Sequence, residues 1–338
     1  MNGTCSNAYS EWESYNIILT FSSLVTLRYF LISFSKTLAL ELYSLFQEDA
    51  ELINTRHENV NYLPWVQLHH ELTCSTDLQN LLQGDEVLVI AVPSVAVKSC
   101  LQNLKPYYQG QTIVLASKGW NASDFSPLSS GIIQTLWKVP FVVLSGASHA
   151  EEVVRQIPTG VVLASEQEQL THQVKKLFQN ERFKCSESTD VVWVQLMWAF
   201  KNLIALACGV SDGLGYGVNT KALLLTKGIQ EVWEIGTFLG ADLQTFRSYA
   251  GIWDLYVTCS SALSRNRNAG RLLAQGHTKA EITGGLMNMV AEGLYMVETI
   301  SAFLAQHSFN LPLLEMIIAI VEQKKTADQA FEAFLKKC

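Results

Sequence analysis

With 338 residues, 49% hydrophobic and 16% charged, the chain has enough apolar material for two domains with buried cores and is not a disordered polypeptide. A formal net charge of -7 excludes a general nucleic-acid surface, which needs clustered cations over a whole face, while leaving room for a local cation cluster that takes a phosphorylated small molecule. Seven cysteines, an odd number spread from Cys5 to Cys338 with no C-x-x-C pair, read as thiols of a reducing compartment, so the cytoplasm is expected and no metal site is.

Taken in order, the first fifty residues are the least regular. The run 17–34, IILTFSSLVTLRYFLISF, is apolar and aromatic but carries Arg28 and several hydroxyl residues, and it lacks the flanks of a signal peptide. It reads as a buried strand–helix piece or a disordered extension ahead of a membrane anchor. No glycine occurs between Gly3 and Gly84. From Asp85 the pattern becomes regular: 86–93, 111–117, 140–146 and 160–165 are short β-branched runs separated by helical stretches, as parallel strands of an α/β sheet are. Ligands bind beyond the carboxyl ends of such strands, so Pro93-Ser94, Ser117-Lys118-Gly119 and the stretch from Gly146 to Ala150 are expected to line one crevice.

Beyond Asp190 the strand pattern stops and helical runs follow: a buried helix within the stretch 191–219, then 220–239, 278–306 and 311–325. Between Asp190 and Asp212 the only charged residue is Lys201, with apolar residues at every helical angle around it. Such a lysine is either buried, where desolvation disfavours its charge unless an anion pairs with it, or snorkels to the surface; a membrane span is a third reading of the segment. Asp254 is the one acid in an otherwise uncharged run from Ala250 to Ala262 and is the candidate partner. The polar stretch 264–268, SRNRN, followed by AGRLL, predicts a helix start whose N–H groups and two arginines receive a phosphate, against the plainer reading of a solvated basic turn. The glycines at 213, 215 and 217 have no strand before them and predict a tight turn after a helix.

Nine blocks carry a resemblance: ELINTRHENVNYLP (51–64), AVPS (91–94), SKG (117–119), GASHAEEV (146–153), FKN (200–202), GVSDGLGYGVNTKA (209–222), DLYVTC (254–259), SRNRNAG (264–270) and VAEGLY (290–295). In order and spacing the chain from about Glu51 onward resembles the bacterial NAD(P)-dependent glycerol-3-phosphate dehydrogenases. The resemblance implies an α/β class protein: a Rossmann-like parallel-sheet domain, its first strand–loop–helix atypical, plus a C-terminal all-α domain. The expected division is a divergent segment 1–50, the rest of the dinucleotide-binding domain over 51–189 and a helical substrate domain over 190–338. It implies interconversion of sn-glycerol 3-phosphate and dihydroxyacetone phosphate for phospholipid precursor supply, with NAD or NADP as cofactor. Position by position, Lys201 matches the proton donor and acceptor; Lys118, Gly146, Ser148, Asn202, Asp254, Ser264, Arg265 and Asn266 match substrate-binding positions. Lys118, Ala150, Arg265, Val290 and Glu292 match cofactor contacts. Expected partners are the small phosphorylated substrate and a second copy of the chain in a homodimer, not nucleic acid or a membrane.

The sequence also departs from that family. Its Gly-rich loop after the first strand, which lets backbone reach the cofactor pyrophosphate, has no counterpart in a stretch without glycine. Trp65, Met197, Trp198 and Trp253 stand at family glycine positions and Ala147 at a proline, with Trp198 and Trp253 expected to crowd the cleft. These departures read as relaxed selection and an impaired enzyme; the rival expectation is a non-catalytic phosphate-ligand binding protein that has lost its cofactor site.

Overall fold

A computed structural model describes residues 16–21, 39–59, 63–83, 87–121, 125–148, 152–153, 155–242, 249–287 and 291–338. Residues 22–38, with most of the apolar run at 17–34, lie outside the described residues, as do Ala150, Val290 and the side chains of Trp65 and Ala147.

The sheet is built from β1 (Asn16–Phe21), β2 (Ala39–Tyr43), β3 (Thr73–Ser75), β4 (Val87–Ala91), β5 (Thr112–Leu115), β6 (Phe141–Ala147), β7 (Thr159–Ala164) and β8 (Phe183–Ser188). Its order is β8-β7-β6-β5-β4-β1-β2-β3. The six strands from β3 to β6 are parallel, in the doubly wound order 3-2-1-4-5-6 whose switch point, where the order reverses, falls between β1 and β4. The first fifty residues therefore supply β1 and β2 in the middle of this Rossmann-like sheet, with Phe21 paired to Ala91 at the carboxyl edge. The four β-branched runs all form strands, but β7 corrects the expectation of parallel pairing: it runs antiparallel to β6, Gly146 opposite Val161.

Continuous apolar composition in β4 reflects burial on both faces. Val87, Val89 and Ala91 enter one core cluster while Leu88 and Ile90 enter the other, the period of two that a strand imposes. Each of these Val, Leu and Ile side chains contributes about 1.5–3 kcal/mol by leaving water. Helices α1 (Gln47–Arg56), α2 (Val97–Leu104), α3 (Leu128–Leu136) and α4 (Glu168–Phe178) follow strands of this half.

The second half is organised by α5 (Val191–Gly213), started by the Asp190 side chain, which accepts from the Trp193 N–H at 2.8 Å. From Val191 to Ser211 every residue but Val192 is buried. The helix is long and apolar enough to cross a membrane by length and composition, yet 94% of that window is buried inside the protein. Around it lie α6 (Val218–Phe238), α7 (Asp254–Ser260), α8 (Arg265–Ala274), α9 (Glu292–Gln306), α10 (Pro312–Val321) and α11 (Ala327–Leu335). A Cβ on Gly270 would stand 2.1 Å from the Leu206 carbonyl oxygen, and one on Gly209 would stand 2.0 Å from that of Arg267, so only glycine lets α8 lie so close to α5. Between Gly213 and α6 the chain makes the expected tight turn, Gly215 at φ +80. The expected helix at 278–306 is broken: a short helical turn passes into a π-turn at Ile282–Leu286, where Gly285 takes φ +143, and α9 starts afresh at Glu292. Glycine in tandem at 284–285 is the cause, since it stabilises a helix least and permits a backbone that ends one.

Candidate functional site

At the carboxyl end of β5 the backbone N–H groups of Ala116 and Ser117 both donate to the Ile90 carbonyl, at 2.8 and 3.0 Å, and the Ser117 hydroxyl accepts from Val92 N–H at 3.0 Å. This clamp fixes where Lys118 leaves the sheet. Its Nζ donates to the Gly146 carbonyl at 3.3 Å and the Ser148 hydroxyl at 3.2 Å, joining the ends of β5 and β6. Gly146 has φ +148 and a Cβ there would meet the Gly160 oxygen at 2.7 Å, so no side chain fits. Burial, helped by the nearby Lys201 ammonium and opposed by Asp254 and Glu292, pushes the Lys118 ammonium down to about 8.

Lys201, mid-way along α5 and 5% exposed, is the buried cation expected from its surroundings. It is not snorkelling: Nζ donates to Asp254 Oδ1 at 2.5 Å, and Asp254 itself is 2% exposed. The pairing of an isolated lysine with an isolated acid 53 residues on is thus realised. A charge buried without a partner would cost several kcal/mol, and this pair avoids that cost at both ends. Asp254 opens α7, and one turn later the Thr258 hydroxyl lies 2.7 Å from the Asp254 carbonyl oxygen and 3.4 Å from Oδ1. Asp254 Oδ2 is buried and has no hydrogen-bond partner among the described residues, so the carboxylate keeps an unused acceptor. Trp198, one turn before Lys201, places its ring centroid 5.3 Å from Nζ and is itself 6% exposed.

Asn202 is tied to two other helices. Asn266 Nδ2 donates to Asn202 Oδ1 at 2.8 Å, and the Gly293 N–H at the start of α9 donates to Asn266 Oδ1 at 2.9 Å. Ser264 is the N-cap of α8, its hydroxyl accepting from Arg267 N–H at 3.3 Å, so the helix starts at Arg265, four residues before the Ala269 at which its apolar part begins. Of the two arginines expected to receive a phosphate, Arg267 is committed elsewhere: Nε donates to Asp212 Oδ2 at 2.5 Å and a terminal nitrogen to the Ser260 carbonyl at 2.8 Å. Arg265 shares an electrostatic neighbourhood with Lys118 and Glu292. Glu292, first residue of α9, has its carboxyl pushed up by burial against the opposing pull of Arg265, Lys118 and Lys201.

The structure therefore brings Lys118, Gly146, Ser148, Lys201, Asn202, Asp254, Ser264, Arg265, Asn266 and Glu292 to one junction of sheet and helices. Trp253, in contrast to Trp198, is half exposed. Thr258 and Gly293 belong to the same network and were not singled out in the sequence. Thr258 was legible as the hydroxyl four residues after Asp254, whereas Gly293 acts through its backbone and leaves no side-chain pattern.

Comparison with known proteins agrees with this arrangement. The family described as NAD-dependent glycerol-3-phosphate dehydrogenase matches through its N-terminal part over residues 32–171 and its C-terminal part over 190–332. The match extends upstream of Glu51, the start of the quoted blocks, to residue 32, in accord with β2 occupying its place in the sheet. The chain is 36% identical over 293 residues to glycerol-3-phosphate dehydrogenase [NAD(P)+] of Agathobacter rectalis, covering 86% of this chain and 87% of that protein. It is 40% identical over 288 residues to the protein of the same description from a Thermoanaerobacter species, covering 85% and 86%. Among solved structures it is similar to a glycerol-3-phosphate dehydrogenase from Coxiella burnetii, with a TM-score of 0.88, 28% identity and coverage of 96% of this chain and 99% of that one. On matches that span both halves, the chain belongs to the NAD-dependent glycerol-3-phosphate dehydrogenase family.

Proposed function

We propose that this chain interconverts dihydroxyacetone phosphate and sn-glycerol 3-phosphate in the cytoplasm, with NAD or NADP as cofactor, as a source of phospholipid precursor. The observation that carries the reading is the buried Lys201–Asp254 pair with an unpartnered carboxylate oxygen beside it. That oxygen is an acceptor for a hydroxyl, and the ammonium is a donor to a carbonyl or alkoxide oxygen, the two forms of the substrate C2 oxygen. When bound, the nicotinamide dinucleotide supplies or takes the hydride at C2. Lys201 gives its proton to the C2 oxygen in ketone reduction and takes it back in alcohol oxidation, while Asp254 fixes the direction of Nζ. Lys118 and Arg265 supply positive charge for the substrate phosphate, Arg265 at the N-terminus of α8, where the helix dipole adds to it. Gly146, Ser148, Asn202, Ser264 and Asn266 surround the rest of the substrate, and the tie from α5 through Asn266 to α9 holds them in register. On the cofactor side, Lys118, Arg265 and Glu292 fit a nicotinamide ribose and phosphate by charge and place, and Ala150 and Val290 complete the set by resemblance.

A second reading, a phosphate-ligand binding protein without turnover, draws on the absence of glycine between Gly3 and Gly84. Replacing Lys201→Met separates the two. The purified wild-type chain is expected to oxidise NADH or NADPH in the presence of dihydroxyacetone phosphate, and the variant to lose roughly 10²–10⁴-fold in turnover with an unchanged circular dichroism spectrum. Turnover retained within about tenfold, a barrier change of about 1.4 kcal/mol, overturns the role of Lys201. Phosphate-ligand binding without turnover in the wild type decides for the second reading.

A further inference from the structure

We infer that Trp198 is a positioning residue for the proton transfer: its ring face holds Lys201 as an ammonium against Asp254 and so sets the pH range in which the ketone oxygen is protonated. The inference rests on the reading of Lys201 as proton donor. Trp198 and Lys201 stand three residues apart on α5, so their side chains share one face of the helix. Nζ lies over the indole at 5.3 Å from the centroid, and both side chains are buried, so little water screens the contact. The negative face of the ring attracts the ammonium and not the free amine. It also uses up space rather than hydrogen-bonding capacity. Of the three N–H groups of Nζ, one is taken by Asp254 Oδ1, the ring covers a second direction, and a donor remains for a substrate oxygen.

The charges around Nζ show why a neutral ring suits this place. Asp254 and the Cys259 thiol face it from α7, Lys118 from beyond β5 and Glu292 from the start of α9, while Arg265 of α8 stands beside Lys118 and Glu292. Lys118 disfavours a second ammonium next to it; Asp254 and Glu292 favour one. A further carboxylate in place of the ring would hold the proton on Lys201 as well, but would repel a phosphorylated substrate. The indole holds it with no net charge. Its Nε1 is buried without a partner among the described residues, which is consistent with a side chain kept for its ring face.

The test follows the pH midpoint at which Lys201 becomes reactive as a free amine. Limiting pulses of acetic anhydride are applied from neutral to alkaline pH to the full chain without ligand, and acetylation of Lys201 is read by peptide mass spectrometry against exposed Lys336. In Trp198→Leu the midpoint is expected to fall by about 0.5–1.5 pH units, the worth of a buried cation–π contact expressed as a titration shift. Trp198→Phe, which restores a ring face, is expected to recover most of it. The pH profile of dihydroxyacetone phosphate reduction moves down in parallel in the Leu variant and returns in the Phe variant. An unmoved midpoint in folded Trp198→Leu overturns the inference. Should the Leu variant fail to fold, wild-type chain grown on 5-fluorotryptophan weakens the ring face without changing its shape; a smaller downward shift supports the inference and no shift overturns it. Because acetylation needs no turnover, it decides the role of the ring even where Lys201→Met speaks against the proposed reaction.

Discussion

The two halves of the molecule build their shares of the site by different means. In the helical half the site residues are held by one another: Lys201 by Asp254, Asn202 by Asn266, Asn266 by the start of α9, and the start of α8 by Ser264. In the sheet half Lys118 is placed by strand ends, while the chain that leaves β1 at the switch point has no glycine until β3 is passed. On the proposed function, the proton-transfer group is part of the core packing of one half, whereas the cofactor's pyrophosphate falls to a segment without glycine. The expectation is that the helical site tolerates that departure and the dinucleotide site does not.

The largest expected effect breaks the helical side. Asp254→Ala leaves the Lys201 ammonium buried and unpaired, which is expected to cost about 3–5 kcal/mol of unfolding free energy in urea titrations, along with turnover. Adding Lys201→Met to that variant removes the stranded charge and is expected to recover most of the stability but none of the activity. A double variant no more stable than Asp254→Ala would mean that the pair is not what holds α7 to α5.

The sheet side is tested by cofactor affinity. The resemblance implies backbone N–H groups brought to the pyrophosphate by glycine-permitted turns, and the sequence between β1 and β2 has no glycine. Loss of two charge-assisted hydrogen bonds at ~1.5–3 kcal/mol each weakens binding by roughly a hundredfold or more. Poor NADH and NADPH binding is expected by calorimetry, with a sharp gain when a Gly-rich strand–loop–helix from an intact relative replaces residues 1–50. Micromolar affinity in the unmodified chain would show that these residues reach the pyrophosphate by another route.

What was legible in the sequence follows the same division. A lone lysine in an apolar helix and a lone acid in an uncharged run could be paired on desolvation alone, because burial leaves so few alternatives. The β-branched runs gave their strands for the same reason. Direction was not written there: β7 has the composition of a parallel strand buried on both faces, and its antiparallel pairing comes from the chain's path after β6. Composition alone did not separate Arg265 from Arg267, and only the resemblance singled out Arg265; which of two neighbouring guanidinium groups meets Asp212 depends on the rotation of α8 about its axis, where Gly209 and Gly270 bring it against α5.

A smaller effect sharpens the contrast within the helical half. Glu231, on α6 and 2% exposed, accepts the Leu313 and Leu314 N–H groups at 2.7 and 3.0 Å and so caps α10 from outside it. Burial pushes its carboxyl up to about 7, against the lowering effect of those two N–H groups. A folded-state value above the ordinary 4.5 means that the folded protein holds a proton that the unfolded chain has released, so stability is lost as pH rises from about 4.5 to about 7. The loss is on the order of 3 kcal/mol. Glu231→Gln is expected to flatten that slope in urea titrations between pH 5 and 8, with wild type and variant diverging most at the alkaline end. A pH-independent difference would show that the cap is ionised throughout.

The smallest effect tests the proposal that both halves meet the substrate phosphate. Arg265 begins α8 behind the Ser264 cap, where the dipole favours an anion, and Lys118, from beyond β5, shares its electrostatic neighbourhood. Arg265→Ala is expected to weaken binding of sn-glycerol 3-phosphate by ~1.5–3 kcal/mol while leaving the weak binding of free glycerol unchanged, because the lost interaction is with phosphate. Lys118, pushed down to about 8, gives the comparison a pH dependence: as pH rises through that value its charge is lost, and phosphate affinity falls in wild type and Arg265→Ala alike. Glycerol affinity has no such charge to lose and stays level. Equal weakening of glycerol and glycerol phosphate by Arg265→Ala would make that arginine a structural residue of α8 and leave Lys118 as the cation that reads the phosphate.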